Sequence, residues 1–186
     1  MPATQPPPAS FVRLTPVARA TAGSGRVFTA LDAIGPILPL TALEGALFAL
    51  MALPGTVDDL LRTATFSRDG YVRRLLHAGV GYEALLLSWL PGQKTLIHDH
   101  GGSVGAAAVL AGRFSERDYV IGADGLATFR AVRTFGAGSI AGADEEDVHV
   151  VGNAETDTRL VTIHLYAPKI ENMRTFSERP AVVSHG

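Results

Sequence analysis

The stretch GQKTLIHDHGGSVGAAAVLAG, Gly92 to Gly112, places two histidines one residue apart among apolar and glycine residues. On a strand, side chains alternate with period two, so His98 and His100 project from one face and can reach one ion. Asp99 then points to the opposite face, where it suits a surface or supporting role rather than ligation of the same metal.

Working outward, the chain from Tyr71 onward breaks into short apolar runs: YVRRLLHA, YEALLLSWL, KTLIHDH, VGAAAVLAG, RFSERDYVI, LATFRAVRTF, VHVVG and TRLVTIHLYAP. They recur every roughly 8 to 12 residues with glycines at the breaks, the rhythm of an all-β sandwich or barrel. This predicts a barrel over about residues 70–170. Upstream, two short helices are expected over about 41–64. Thr41 and Glu44 form an S/T-x-x-E box before GALFALMAL. The second helix starts at Thr56, with Asp58 and Asp59 in its first turn, where carboxylates favour the helix dipole. The Pro-rich start MPATQPPPAS predicts a disordered tail over residues 1–25, leaving 26–186 as one domain with a helical cap.

Composition narrows the chemistry. The chain has no cysteine, which excludes disulfides, Cys-held zinc or iron–sulfur clusters and thiol nucleophiles; any metal must be held by His, Asp, Glu or Tyr. Sixteen Lys and Arg stand against 18 Asp and Glu, with no block of like charge to bind nucleic acid or a membrane surface, so a small molecule is the expected partner. The longest apolar stretch, LEGALFALMALPG, is interrupted by Glu44 and Pro54 and is too short to span a bilayer. No basic segment precedes an apolar run at the N-terminus, and a cytoplasmic location is expected.

The spacing around the histidine pair is more specific than the pair. Gly92, five residues, His98-x-His100, four residues, Gly105, six residues and Gly112 resemble the first cupin motif. Gly138, five residues, Asp144-x-Glu146, two residues, His149, three residues and Asn153 resemble the second. The resemblance implies a double-stranded β-helix, a jelly-roll barrel, with His149 as third ligand. Asp144 and Glu146 stand where the second motif has Pro and Gly, and the glutamate ligand of the first motif falls on Gly105. The site thus has three neutral imidazoles and no carboxylate among its ligands, which favours anionic ligands in the open positions. Imidazoles alone leave zinc and iron(II) both open.

Within this frame YVRRLL, LSWLPGQKTLIHDHGGS, DVHVVGNA and VTIHLYAP resemble the cysteine dioxygenase family, the cupin thiol dioxygenases. The resemblance implies that His98, His100 and His149 bind Fe(2+), and that Arg73 holds the carboxylate of L-cysteine while both atoms of O2 are added to sulfur to give cysteine sulfinate. It matches Thr162, His164 and Tyr166 to the family's Ser-His-Tyr relay. Those three also fall at i, i+2 and i+4, on one strand face that would ordinarily be apolar, and a buried polar row must be hydrogen-bonded. Trp89 also matches a family position and reads as packing. The cysteine that mammalian-type enzymes crosslink to the relay tyrosine falls on Gly105, so Tyr166 is expected as a free phenol, as in the bacterial branch. Arg74 leaves the register of Arg73 open, since neighbours on a strand face opposite ways.

Two other functions fit parts of this pattern. One is a sister dioxygenase of 3-mercaptopropionate or another small thiol acid; the other is a non-catalytic metal-binding cupin, which gives no reason for the Thr162, His164, Tyr166 row. A zinc hydrolase lacks a placed general base. His77 and His185 read as structural or solvated, and the acidic run Asp144 to Asp147 as a solvated turn. The sequence leaves the oligomeric state open.

Overall fold

A computed structural model describes residues 12–14 and 22–180. Eight of its strands fall on the eight apolar runs: β2 (Val72–Ala78), β3 (Glu83–Trp89), β4 (Ile97–His98), β5 (Val104–Ala111), β6 (Arg113–Ile121), β7 (Ala127–Gly136), β9 (Val148–Asn153) and β10 (Leu160–Ala167). Three short strands complete the set: β1 (Val12–Leu14), β8 (Ile140–Ala143) and β11 (Thr175–Phe176). They form a six-stranded sheet in the order β1-β2-β3-β10-β5-β8 and a five-stranded sheet in the order β11-β4-β9-β6-β7. Pairing is antiparallel except between β1 and β2. The fold is an all-β, jelly-roll barrel of the cupin type with short N-terminal helices, as the motifs imply.

The helices are α1 (Ala22–Ile34), α2 (Leu40–Ala52) and α3 (Thr56–Thr63). Strand alternation explains where they pack. Leu86 of β3, Ala106 and Ala108 of β5, and Ile163 and Leu165 of β10 point outward and bury Leu43, Leu47 and Leu50 of α2. Their neighbours Leu85, Leu87, Ala107, Val109 and Tyr166 point into the barrel. Strand β10 is therefore covered on both faces, and every residue in it is buried. Each fully buried leucine in the helical layer contributes about 1.5–3 kcal/mol.

Two expectations are corrected. Thr41 does not cap a helix: α2 begins at Leu40 with Pro39 as its N-cap, and Pro39 O accepts from Ala42 N at 3.0 Å. The first turn is thus already closed at Pro39, which leaves Thr41 inside it and Glu44 near Gly142 of β8. The stretch expected as tail, residues 1–25, contains β1, which covers the edge of β2, and the start of α1. An exposed strand edge carries unpaired backbone groups, and β1 supplies their partners. Gly23 and Gly25, poor helix formers, conceal α1 in the sequence, but Phe28 and Leu31 of that helix are buried. The remainder of the tail expectation and His185 lie outside the described residues.

Gly112 marks the tight β5–β6 connection. Its φ is +84°, and a Cβ there would stand 2.4 Å from Arg159 O, so only glycine lets the chain turn out of β5 against the residues that lead into β10. Asn153, at the end of the second motif, is buried and donates from Nδ2 to Thr158 O at 2.7 Å, closing the loop into β10.

Candidate metal centre and substrate cavity

Register brings the histidines together. His98 on β4 pairs directly with His149 on β9. His100 lies just beyond β4 rather than within it, yet the three imidazoles converge, with one ligand nitrogen from each lying within 4.8 Å of the others. His100 Nε2 and His149 Nε2 are 3.0 Å apart. Two nitrogens each about 2.1 Å from a shared ion at a right angle are separated by about this distance.

On His98 and His149 the nitrogen that faces away is engaged, which fixes the one that faces in, whereas the buried His100 Nδ1 has no hydrogen-bond partner among the described residues. His98 Nδ1–H donates to Leu96 O at 2.9 Å. His149 Nδ1–H donates to Glu116 Oε1 at 2.7 Å. Burial, with the neighbouring imidazoles, pushes His98 down to about 3 and His100 down to about 4. Both are neutral at physiological pH, the state a metal ligand requires. The donor set therefore fits a divalent ion bound by three neutral imidazoles.

Glu116 is a site residue that the sequence reading missed. It is 2 % exposed, lies on β6 diagonally opposite His149, and its Oε2 is 3.1 Å from Arg133 Nη2. A carboxylate behind a ligating imidazole holds its tautomer and orientation and raises its basicity. The absence of a carboxylate among the direct ligands is thus offset one bond further out. The signal was present in RFSERDYVI: Glu116 shares the inward face with Phe114, the same polar-among-apolar pattern that identifies β10.

On β10, Thr162, His164 and Tyr166 do form a row. His164 Nε2 is 2.9 Å from Thr162 Oγ1, and His164 Nδ1 is 3.1 Å from the Tyr166 hydroxyl. Burial, with Arg73 and the three site histidines nearby, pushes His164 down to about 3, so its ring is neutral. Burial likewise raises the Tyr166 phenol, outweighing the attraction of Arg73, and it stays protonated. Gly105 is opposite Tyr166 on β5, and a Cβ there would lie 2.9 Å from Tyr166 Cε1. Glycine at this position makes room for the tyrosine ring.

Arg73 enters the cavity and Arg74 does not. A cavity of about 120 Å³ is lined by Arg73, Tyr71, His98, Tyr166, Ile170 and Met173, among others. Arg74 instead reaches out to Thr65 Oγ1 at 3.3 Å. Arg73 Nη2 is 3.9 Å from Glu83 Oε1, and Tyr71 stacks on Trp89 with ring centroids 4.1 Å apart.

Part of the cavity wall comes from the segment after β10. Asp99 is 3 % exposed and binds that segment: it accepts from Arg174 N at 2.8 Å, from Arg174 Nε at 2.6 Å and from Gly101 N at 3.2 Å. Burial alone would raise its pKa, but these bonds outweigh it and hold the carboxyl below the usual range. The expectation of a non-ligating Asp99 holds, with a latch in place of a loosely defined surface role. The acidic run is a turn, with Asp144 N bonded to Asp147 Oδ2 at 2.9 Å. His77 stacks on Phe28, ring centroids 4.6 Å apart, away from the site.

Together these features define a cupin-type barrel with a buried three-histidine centre that opens on a small cavity. The sequence pattern of the family described as cysteine dioxygenase type I matches residues 46–179, and the chain belongs to that family. Among solved structures it is similar to the TT1209 protein of Thermus thermophilus, with 22% identity and a TM-score of 0.51, covering 60% of this chain and 95% of that one. It is also similar to BH2720 of Bacillus halodurans, with 19% identity and a TM-score of 0.51 over 68% and 87% of the two chains. A Klebsiella pneumoniae protein described as having a double-stranded beta-helix domain matches at 19% identity, a TM-score of 0.49 and 64% and 95% coverage. At these identities the likeness to the Thermus and Bacillus proteins speaks for the fold alone. Among the described residues, no single helix is long and apolar enough to cross a membrane.

Proposed function

We propose that the protein is a cytoplasmic iron(II)-dependent thiol dioxygenase that converts L-cysteine and O2 to cysteine sulfinate. One observation carries this reading: Arg73, His98 and the Tyr166 ring line the same small cavity. A cation for a carboxylate, a metal ligand and a protonated phenol then face one bound molecule. Family membership over residues 46–179 supports the reaction class.

A ferrous ion held by His98, His100 and His149 would supply dioxygen activation and the positive charge that turns a bound thiol into its thiolate. Arg73 clamps the substrate carboxylate through charge-assisted bonds, releasing Glu83, and a lysine could not reproduce that planar fork. Leu87, Val151 and Ile170 keep water from the sulfur. Tyr166, as the neutral phenol, donates a hydrogen bond towards the oxygen or sulfur undergoing reaction. His164 orients Tyr166 and Thr162 orients His164. The balance is one thiol and one dioxygen in, one sulfinic acid out; the new bonds are both sulfur to oxygen.

The test is anaerobic loading with Fe(II), followed by oxygen uptake with cysteine, 3-mercaptopropionate and cysteamine. Cysteine is expected to be oxidised fastest, with sulfinate as product. Cysteamine lacks the carboxylate, so equal turnover of cysteamine would refute the role given to Arg73. Faster turnover of 3-mercaptopropionate would move the assignment to that acid. No uptake with any thiol would leave a metal-binding cupin without this activity. His149→Ala should abolish iron binding, and retained iron would refute the three-histidine site.

A further inference from the structure

Trp89 packs as its composition suggests, but its one polar atom is also used. Indole Nε1–H donates to Thr162 Oγ1 at 3.1 Å, which extends the Thr162, His164, Tyr166 row by one member. All four side chains are buried, with Trp89 and Thr162 at 0 % exposure, His164 at 3 % and Tyr166 at 9 %. A donor-only group therefore closes the far end of the chain.

That closure bears on where the protons lie. In one arrangement Thr162 O–H donates to His164 Nε2, His164 Nδ1–H donates to the Tyr166 oxygen, and the Tyr166 proton is left to point into the cavity. In the reverse arrangement His164 Nε2–H donates to Thr162 and Tyr166 donates to His164 Nδ1. Thr162 Oγ1 then receives two N–H donors, from Trp89 and His164, and its own proton is left with no further hydrogen-bond partner among the described residues. Trp89 cannot take it, because the indole nitrogen has no lone pair to offer. A buried hydroxyl proton without a partner is disfavoured, and the first arrangement satisfies every group up to Tyr166.

We infer that Trp89 is a positioning residue: its N–H occupies Thr162 so that His164 adopts the Nδ1–H tautomer and Tyr166 presents its proton to the cavity. The tautomer follows from the hydrogen bonds alone. Its consequence for turnover rests on the thiol dioxygenase reading above.

The experiment is two-bond ¹H–¹⁵N correlation NMR of ¹⁵N-histidine-labelled protein loaded with Zn(II) as a diamagnetic ion, with His164 assigned by its loss in His164→Gln. A protonated, pyrrole-like Nδ1 and a bare, pyridine-like Nε2 are expected. Thr162→Ser should keep that pattern, because its hydroxyl can still donate to Nε2 while it accepts from Trp89. Trp89→Phe should yield a mixture of tautomers, since the space left by the pyrrole ring allows the Thr162 hydroxyl to rotate. A wild-type Nε2–H tautomer, or a Trp89→Phe protein with an unmixed Nδ1–H signal, overturns the inference. These readings need no turnover, so they decide the tautomer even if no thiol is oxidised. Where turnover is present, Trp89→Phe should lower kcat by about tenfold, the size of one oriented hydrogen bond, with KM for the thiol unchanged. In a Tyr166→Phe background the same substitution should have almost no further effect. Fully additive losses would refute action through Tyr166.

Discussion

Replacing Glu116 with glutamine tests the support behind the metal centre with almost no change of volume. The carboxylate accepts a 2.7 Å bond from His149 Nδ1–H and stands 3.1 Å from Arg133. An amide has two orientations there, and both are worse. With its oxygen on His149 it aims its NH2 at the Arg133 guanidinium. With its NH2 on His149 it requires a bare Nδ1, which moves the imidazole proton to Nε2, the nitrogen needed for the ion. The loss is one charge-assisted hydrogen bond, about 1.5–3 kcal/mol, which at about 1.4 kcal/mol per decade predicts roughly 10- to 100-fold weaker metal binding. The assay is competition for Zn(II) or anaerobic Fe(II) against a chelator of known affinity, with circular dichroism to confirm the fold. Affinity within about twofold of wild type would show that Glu116 does not act on the centre through His149.

Gly105→Ala should displace the Tyr166 ring, whose Cε1 would stand 2.9 Å from the new methyl, and turnover should fall while metal affinity holds; unchanged turnover would refute the steric role of Gly105. In metal-free protein, His98 (about 3), His100 (about 4) and His164 (about 3) all have depressed folded-state pKa values, so the unfolded chain binds their protons first. Stability is then complete above about pH 6.5 and declines as pH falls towards those values, by up to about 1.4 kcal/mol per histidine per unit; urea midpoints of chelated protein across this range measure it. Leu47→Ala removes a side chain with 0 % exposure between α2 and the sheet and should cost about 2–5 kcal/mol in urea unfolding, with metal affinity unchanged. Asp99→Asn weakens the bonds to Arg174, and limited proteolysis should then cut within residues 170–176 more readily than in wild type.

The strands and the histidines were legible because each leaves a short-range mark. Short apolar runs broken by glycines identified eight strands, and the two spaced motifs brought together residues as distant in sequence as His100 and His149. The polar row on β10 stood out because Thr162, His164 and Tyr166 occupy a face that packing would otherwise fill with apolar groups. Glu116 carried the same mark on β6, but charged neighbours in RFSERDYVI made it look like an ordinary solvated strand. Strand β1 depends on an edge pairing with residues some sixty positions away, which no local pattern specifies. The inward turn of Arg73 over Arg74 follows from the register between β2 and β3, which has an irregularity between Leu75 and His77.

The latch between Asp99 and Arg174 separates two demands on the molecule. The ion's ligands come from the barrel and its immediate loop, while Ile170 and Met173 reach the cavity from a segment beyond β10, tied back by the Asp99 carboxylate and by the pairing of β11 with β4. Ile170 and Met173 precede that pairing, so their side chains can change the shape of the cavity without repacking the sheets. A barrel built this way can be retuned from one small ligand to another by altering a few residues of a single strap.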